Sequence, residues 1–265
     1  MPSREGPRIS GKTAGQSHHE VEAKLLASES QLRAVARLRE VGAYRLRRRD
    51  IVRLHSVYVD TADLTLARHG IALRLRRQAG RWELTAKWAG RVAGLVHERP
   101  EVTVPLSMPP RFPFQLDTGL QPSLKDLVAD RPLRPILITQ IHRRRIDVLP
   151  RTRGTRWPVA ELALDRVRLR APDARQAAAV YGEIEIERVK GTRHDVTRLA
   201  QVLQQRFDLT PSAASKFARG LALLYASDRV RQWSSVVAFK ATSPDPSLGL
   251  CPTMVTCPAI RKPAR

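Results

Sequence analysis

Charged and apolar residues alternate from His19 to Ala27, with Glu20, Glu22 and Lys24 set against Val21, Ala23 and Leu25. Successive side chains of a strand point to opposite faces, so this segment reads as a strand with one polar and one apolar side. Ser28 follows as a helix cap, with Gln31 three residues on as its capping-box partner. Leu32, Val35, Leu38 and Val41 then recur at helical spacing, and Gly42 is expected to end the helix. Strand patterning resumes over 53–60 and, after a turn at Thr61 to Asp63, over 71–78. Ala79-Gly80 reads as a hairpin turn into a strand over 81–88, and residues 89–94 as a turn into a strand over 96–104. Residues 105–135 hold seven of the nineteen prolines and read as a connection with one short helix at 123–128. Strands are expected at 136–148, 159–170 and 183–189. A helix capped by Asp195 carries Leu199, Val202, Leu203 and Phe207, and another is expected from Ser212 to Tyr225. About eight strands and three or four helices make this an α+β chain whose largely antiparallel sheet closes into a barrel with outer helices.

The polar alternates of these strands carry both signs of charge. Glu20, Glu22, Glu101, Asp165, Glu183 and Glu185 share the rhythm with Lys24, Arg74, Arg76, Lys87 and Arg99. Small barrels usually fill their lumen with apolar side chains. If these residues all face one way, that face is either bulk solvent or a hydrated tunnel, and Val21, Leu73, Leu75, Ile184 and Ile186 pack outward beneath the helices. A tunnel of that kind would hold divalent cations against carboxylates and a polyphosphate against Arg and Lys.

Composition narrows the choice only a little. The 265 residues suit one large domain with tails, and a 42% apolar fraction is enough for a core. A formal charge of +22 attracts polyanions, nucleic acid among them, although arginine-rich codons would raise the charge everywhere. Aromatic residues make up only 5% and show no stacking spacing, so no specific nucleic-acid partner is expected. Cys251 and Cys257 are too few for a disulfide framework or a zinc site. No apolar run approaches the ~20 residues of a membrane span, and the polar first 17 residues lack a secretory h-region. The expectation is a soluble, cytoplasmic protein, monomer or homodimer, with a disordered arm at 1–17 and a disordered tail at 227–265.

In this order the motifs resemble the CYTH superfamily, the triphosphate tunnel metalloenzymes. The resemblance rests on Glu20-Val-Glu22-Ala-Lys24, Tyr58-Val-Asp60-Thr61, Leu73-Arg74-Leu75-Arg76-Arg77, Lys87 and Glu98-Arg99-Pro-Glu101. It continues through Arg143-Arg144-Arg145, Leu164-Asp165, Glu183-Ile-Glu185-Ile-Glu187 and Ser215-Lys216-Phe-Ala-Arg219-Gly220, and covers about residues 18–226. A lone Glu-x-Glu-x-Lys is weak; the ordered set is specific. The resemblance implies an eight-stranded antiparallel tunnel that takes a triphosphate or polyphosphate end-on with Mg²⁺ or Mn²⁺. It implies Glu20, Glu22, Glu101, Asp165, Glu183 and Glu185 as metal ligands. Lys24, Arg74, Arg76, Lys87, Arg99, Arg144 and Lys216 would grip the substrate, with Glu20, Glu22, Lys24, Glu183 and Glu185 as the catalytic set. Of the run Arg143 to Arg145, Arg144 fits the family spacing best, while strand parity leaves its neighbours open. Glu187 is open between metal contact and mere polar facing, Tyr58 and Asp60 read as a strand end, and Arg77 and Arg219 as rim groups. The wording around Arg74 and Lys216 is most similar to bacterial members hydrolysing inorganic triphosphate, and the tail resembles the start of a CHAD domain. Alternatives in the same superfamily are a class IV adenylate cyclase and a thiamine triphosphatase; a non-catalytic polyphosphate-binding module is a third.

Overall fold

The structure, a computed structural model, describes residues 16–224 apart from 79, 109–110, 117–119, 121 and 153–156. The predicted tail, the suggested CHAD stub, both cysteines and all but the last two residues of the predicted arm lie outside the described residues. In chain order the elements are β1 (Gln16–Ala27), α1 (Glu29–Arg37), β2 (Glu40–Val41), β3 (Tyr44–Asp60), α2 (Thr65–Arg68) and β4 (Ile71–Gln78). Then come β5 (Arg81–Trp88), β6 (Arg91–Ala93), β7 (Val96–Leu106), α3 (Pro122–Val128), β8 (Arg134–Pro150) and β9 (Ala160–Arg170). The last are β10 (Ala179–Arg188), α4 (Arg193–Phe207), β11 (Thr210–Pro211) and α5 (Lys216–Leu224).

Eight strands form a closed antiparallel ring in the order β1-β10-β9-β8-β3-β4-β5-β7, with β7 pairing back onto β1. The seam is β1 itself. Its first part lies on β7, from Gln16 opposite Thr103 to Ala23 opposite Val96, and its last part on β10, from Glu22 opposite Glu187 to Ala27 opposite Gly182. β2, β6 and β11 are short additions to β3, β7 and β1.

Alternation decides what each face of the ring meets. Val21, Ala23 and Leu25 of β1, Leu162 and Leu164 of β9, and Ile184 and Ile186 of β10 point outward into a core closed by α1 and α4. α1 contributes Leu32 and Val35, and α4 Val196, Leu199 and Leu203; each such side chain stabilises the fold by about 1.5–3 kcal/mol on full burial. A second outer core gathers Leu73, Leu75 and Leu84 with residues of α2 and α3. The third core is internal. α5 lies against the inner faces of β8 and β9, where Phe217 and Leu221 meet Leu137, Ile141, Val167 and Leu169. Gly220 makes this fit possible, since a Cβ there would lie 2.4 Å from Leu137 Cδ2. The lumen is therefore polar along most of its length and apolar where α5 closes it.

Several boundaries differ from expectation. α1 stops at Arg37, and Leu38 is extended at φ −61°, ψ 143°. Val41 reaches the same core from β2 because Gly42, at φ +53°, turns the chain straight into β3. β3 begins at Tyr44 rather than Arg53, because the consecutive Arg47-Arg48-Arg49 hides the alternation. β1 begins at Gln16, β6 occupies half of the expected 89–94 turn, and the one-turn α2 has no helical periodicity to announce it. The cap of α4 is Thr192, whose hydroxyl accepts from the Asp195 N–H while the Asp195 carboxylate accepts from the Thr192 N–H. α5 begins at Lys216; the Ala218 N–H donates to Ser215 Oγ at 3.1 Å, so Ser215 does the work expected of Ser212.

Candidate metal and anion site in the tunnel

The polar faces of the ring strands enclose a cavity of about 580 Å³. Ring order puts β10 and β4 directly across it, four strands apart in either direction. The two walls are built from opposite charge.

The acidic wall comes from β9 and β10. Asp165 sits opposite Glu183 in the strand register, and one oxygen from each of Asp165, Glu183 and Glu185 falls within 4.8 Å of the others. Asp165 and Glu183 are fully buried. Two cations hold the cluster together. Lys216 Nζ, projecting from the first residue of α5, donates to Glu185 Oε1 at 2.6 Å and to Glu183 Oε2, and lies 3.1 Å from Asp165 Oδ2. Arg143 forks onto Asp165 with two bonds of 2.7 Å and reaches Glu185 with the same Nη2. Burial alone would raise the Glu185 carboxyl, but Lys216 and Arg143 overcome it and hold it well below the usual carboxylate range. At Glu183 burial prevails over Lys216 and the carboxyl is raised. Its Oε1 is buried without a hydrogen-bond partner. Three converging carboxylates, one carrying an unused buried oxygen, are the donor set that hard divalent cations take, so these residues fit a metal ion.

A second group lines β1 and β7. Glu20 accepts from Lys87 Nζ at 2.7 Å and from Arg99 Nε at 2.6 Å. Arg99 Nη2 also donates to Glu22 Oε1 at 2.8 Å, and Lys24 Nζ lies 2.6 Å from the same oxygen. Lys87 bridges on to Glu101 at 2.5 Å. Burial would raise the Glu20 carboxyl, but the Lys87 and Arg99 charges bring it down to about 2. Glu187, in the same lining, is pushed up to about 7 by burial and then by the negative charge of Glu20.

The basic wall is β4. Arg76 Nε donates to Ser56 Oγ at 2.9 Å, and Arg74 Nη2 makes a long 3.5 Å contact with Thr85 Oγ1. Neither guanidinium has a carboxylate within ion-pairing distance among the described residues, and Arg74 Nε is buried without a partner. Burial, then repulsion from Arg74, lowers Arg76 to about 9. Two neighbouring half-buried guanidiniums without a carboxylate partner among the described residues offer donors of the kind that match phosphate oxygens.

The structure thus gathers Glu20, Glu22, Lys24, Arg74, Arg76, Lys87, Arg99, Glu101, Glu185 and Lys216 on the cavity wall, with Asp165 and Glu183 just behind it. Arg144 is the exception and requires a correction. On β8, Ile141, Arg143 and Arg145 point inward, so Arg144 faces outward and is absent from the lining. The expected tunnel arginine is Arg143. The usable signal was strand parity counted from Ile141, together with the register that sets Arg143 opposite Asp165. Arg145, which strand parity left open, lines the cavity too and pairs at 2.7 Å with Glu161, a residue sequence reasoning missed along with the hydroxyl partners Ser56 and Thr85. Asp60 stays out of the cavity. It accepts from the Leu66 and Ala67 N–H groups at 2.9 and 2.8 Å, and so holds α2. Glu187 and Arg77 do line the cavity, and Tyr58 lines it with its ring against Phe217 at 5.1 Å between centroids.

An antiparallel ring with an ionic lumen and an outward core defines a narrow class of proteins. Residues 18–221 match the CYTH domain family, and the chain belongs to it. It is 27% identical over 194 residues to an inorganic triphosphatase of Haemophilus influenzae, covering 68% of this chain and 49% of that protein. The chain thus spans about half the length of that relative. Among solved structures, a putative adenylate cyclase of Bacillus halodurans shares the fold at TM-score 0.51 and 20% identity, covering 77% of this chain and 97% of that one. A Hippeastrum protein described as a putative adenylyl cyclase with a dominant triphosphatase activity matches at TM-score 0.50 and 19% identity, covering 77% and 95%.

Proposed function

We propose that the chain is a divalent-metal-dependent hydrolase of triphosphates and that inorganic tripolyphosphate, cleaved to diphosphate and phosphate, is its substrate. One observation carries the reading: the carboxylates of β9 and β10 stand across a single cavity from the unpaired guanidiniums of β4. Phosphoryl transfer asks a protein mainly for positioning and for neutralisation of charge on the phosphoryl oxygens. Arg74 and Arg76 supply fixed forks for those oxygens, and Lys24 and Lys87 add point charges from β1 and β5. Asp165, Glu183 and Glu185 are the residues that would hold Mg²⁺ or Mn²⁺. Such an ion supplies further charge neutralisation and a more acidic water. Glu20, Glu22 and Glu101 keep Lys24, Lys87 and Arg99 oriented across the lumen.

The inorganic substrate is preferred over an organic triphosphate for two reasons. Tyr58 and Phe217, the aromatic side chains of the lining among the described residues, already pack on each other. The relative from Haemophilus influenzae carries the name of an inorganic triphosphatase.

Phosphate release from tripolyphosphate, thiamine triphosphate and ATP, each with Mg²⁺, with Mn²⁺ and after chelation, tests the reading. Tripolyphosphate should turn over fastest, activity should vanish with chelator and return with added metal. Cyclic AMP as the main product from ATP would replace the hydrolase with a cyclase. Faster release from thiamine triphosphate would change the substrate. Turnover that survives chelation would remove the metal, and tight chelator-resistant binding without turnover would leave only a binding module.

A further inference from the structure

Because Ile141, Arg143, Asp165 and Val167 face the lumen, Gln140, Arg168 and Arg170 of β8 and β9 face away from it. The connection from β9 to β10 folds back over this outer side, tied by the Ala178 N–H to Leu169 O at 2.7 Å. Arg170 fastens it further: Nη1 donates to the carbonyls of Ala171, Pro172 and Ala174 at 3.2, 3.0 and 2.9 Å. A guanidinium bound in this way shapes the loop and keeps its full charge, because carbonyls do not neutralise it. Between loop and strands lies a cleft of about 450 Å³, on the far side of the wall from the tunnel, lined by Gln140, Arg168, Arg170, Asp173 and Arg175. One carboxylate faces three guanidiniums there. Arg168, Arg170 and Arg175 make no ion pair among the described residues.

We propose that this cleft is a second anion site that binds free inorganic oligophosphate outside the tunnel. Three neighbouring guanidiniums, that of Arg170 held in place by the loop carbonyls, suit a chain of closely spaced phosphate groups, each offering oxygens in bidentate geometry. The +22 charge of the chain draws such polyanions to the surface. Nucleic acid is the weaker fit, since no aromatic side chain lines the cleft to stack a base. The assignment goes beyond the tunnel reading and stands on separate residues.

The test is isothermal titration of the full chain with a short linear polyphosphate at physiological salt and without divalent ions. The wild type should show two sites. Arg168→Gln/Arg175→Gln should weaken one of them about tenfold or more, as the loss of charge-assisted bonds predicts, and leave tripolyphosphate hydrolysis unchanged. Arg74→Gln/Arg76→Gln should weaken the other. Arg37→Gln/Arg91→Gln, exposed elsewhere and equal in lost charge, should leave both intact. Two unaltered sites in the Arg168/Arg175 variant, or an equal loss in the Arg37/Arg91 control, would overturn the proposal. So would a single-stranded oligonucleotide that displaces polyphosphate from the Arg74/Arg76 variant at comparable concentration. Absence of hydrolysis in every protein would count against the tunnel reading alone, because the cleft is scored by binding.

Discussion

The two walls of the tunnel treat buried charge in opposite ways. On β9 and β10, Asp165, Glu183 and Glu185 share Lys216 and Arg143, so removing any one member leaves buried charge behind. On β4, Arg74 and Arg76 stand without an acidic partner, held by single hydroxyls. The first arrangement meets three carboxylates with two shared cations, so most of its charge is paired within the fold. The second is open in charge, and under the proposed function a bound anion would complete it. Strain of that kind persists where a site needs it.

The sharpest way to break this contrast is Glu185→Ala. It strips the shared partner from Lys216 and Arg143, and breaking a buried ion pair from one side costs about 3–5 kcal/mol. Turnover should vanish and the thermal midpoint fall steeply; a variant that melts like the wild type would show that the acidic wall is not coupled. Arg76→Gln should do the reverse. Losing a charged phosphate donor lowers tripolyphosphate affinity about 10–100-fold, while the melting temperature holds or rises. A large drop in stability would mean that Arg76 has a structural partner. Gly220→Ala probes the acidic wall indirectly. Its new Cβ, 2.4 Å from Leu137 Cδ2, should push α5 off β8, cost about 1–3 kcal/mol as overpacking does, and lower kcat through Lys216. Normal kcat with reduced stability would separate α5 from the chemistry. The smallest effect belongs to Arg144→Gln, within about 0.5 kcal/mol in stability and neutral in tripolyphosphate hydrolysis, whereas Arg143→Gln should be nearly inactive. Equal losses in the two would return Arg144 to the tunnel.

Much of this was legible before any coordinates. The clean alternations in β1, β4 and β10 fix which residues share a face, and a mixed-charge face on several strands implies a common hydrated interior. Legibility ended where three like residues run together. Arg47-Arg48-Arg49 concealed the first half of β3, and Arg143-Arg144-Arg145 concealed parity on β8, because period two carries no information when successive positions are identical in kind. Tertiary pairing supplied the missing phase: Arg143 lies opposite Asp165. The same limit applies to α5. Its apolar face was visible as a helix, but only long-range packing shows that it sits inside the ring, bringing Lys216 into the carboxylates. Leu38 and Val41 matched a helix in spacing yet enter the core from a hairpin, a case of burial satisfied by either backbone.

The seam strand has a consequence for how the molecule comes into being. β1 precedes both of its ring partners in the chain, β7 at Val96–Leu106 and β10 at Ala179–Arg188. Until β10 leaves the ribosome the nascent sheet is an open ribbon with Glu20, Glu22 and Lys24 bathed in water, and contacts of such sequence separation form late. Closure of the ring therefore rests on one event, the docking of a twelve-residue segment on two distant neighbours, and α5 can add Lys216 only after it. A trim or fusion that reaches past Gln16 would disturb assembly and chemistry together.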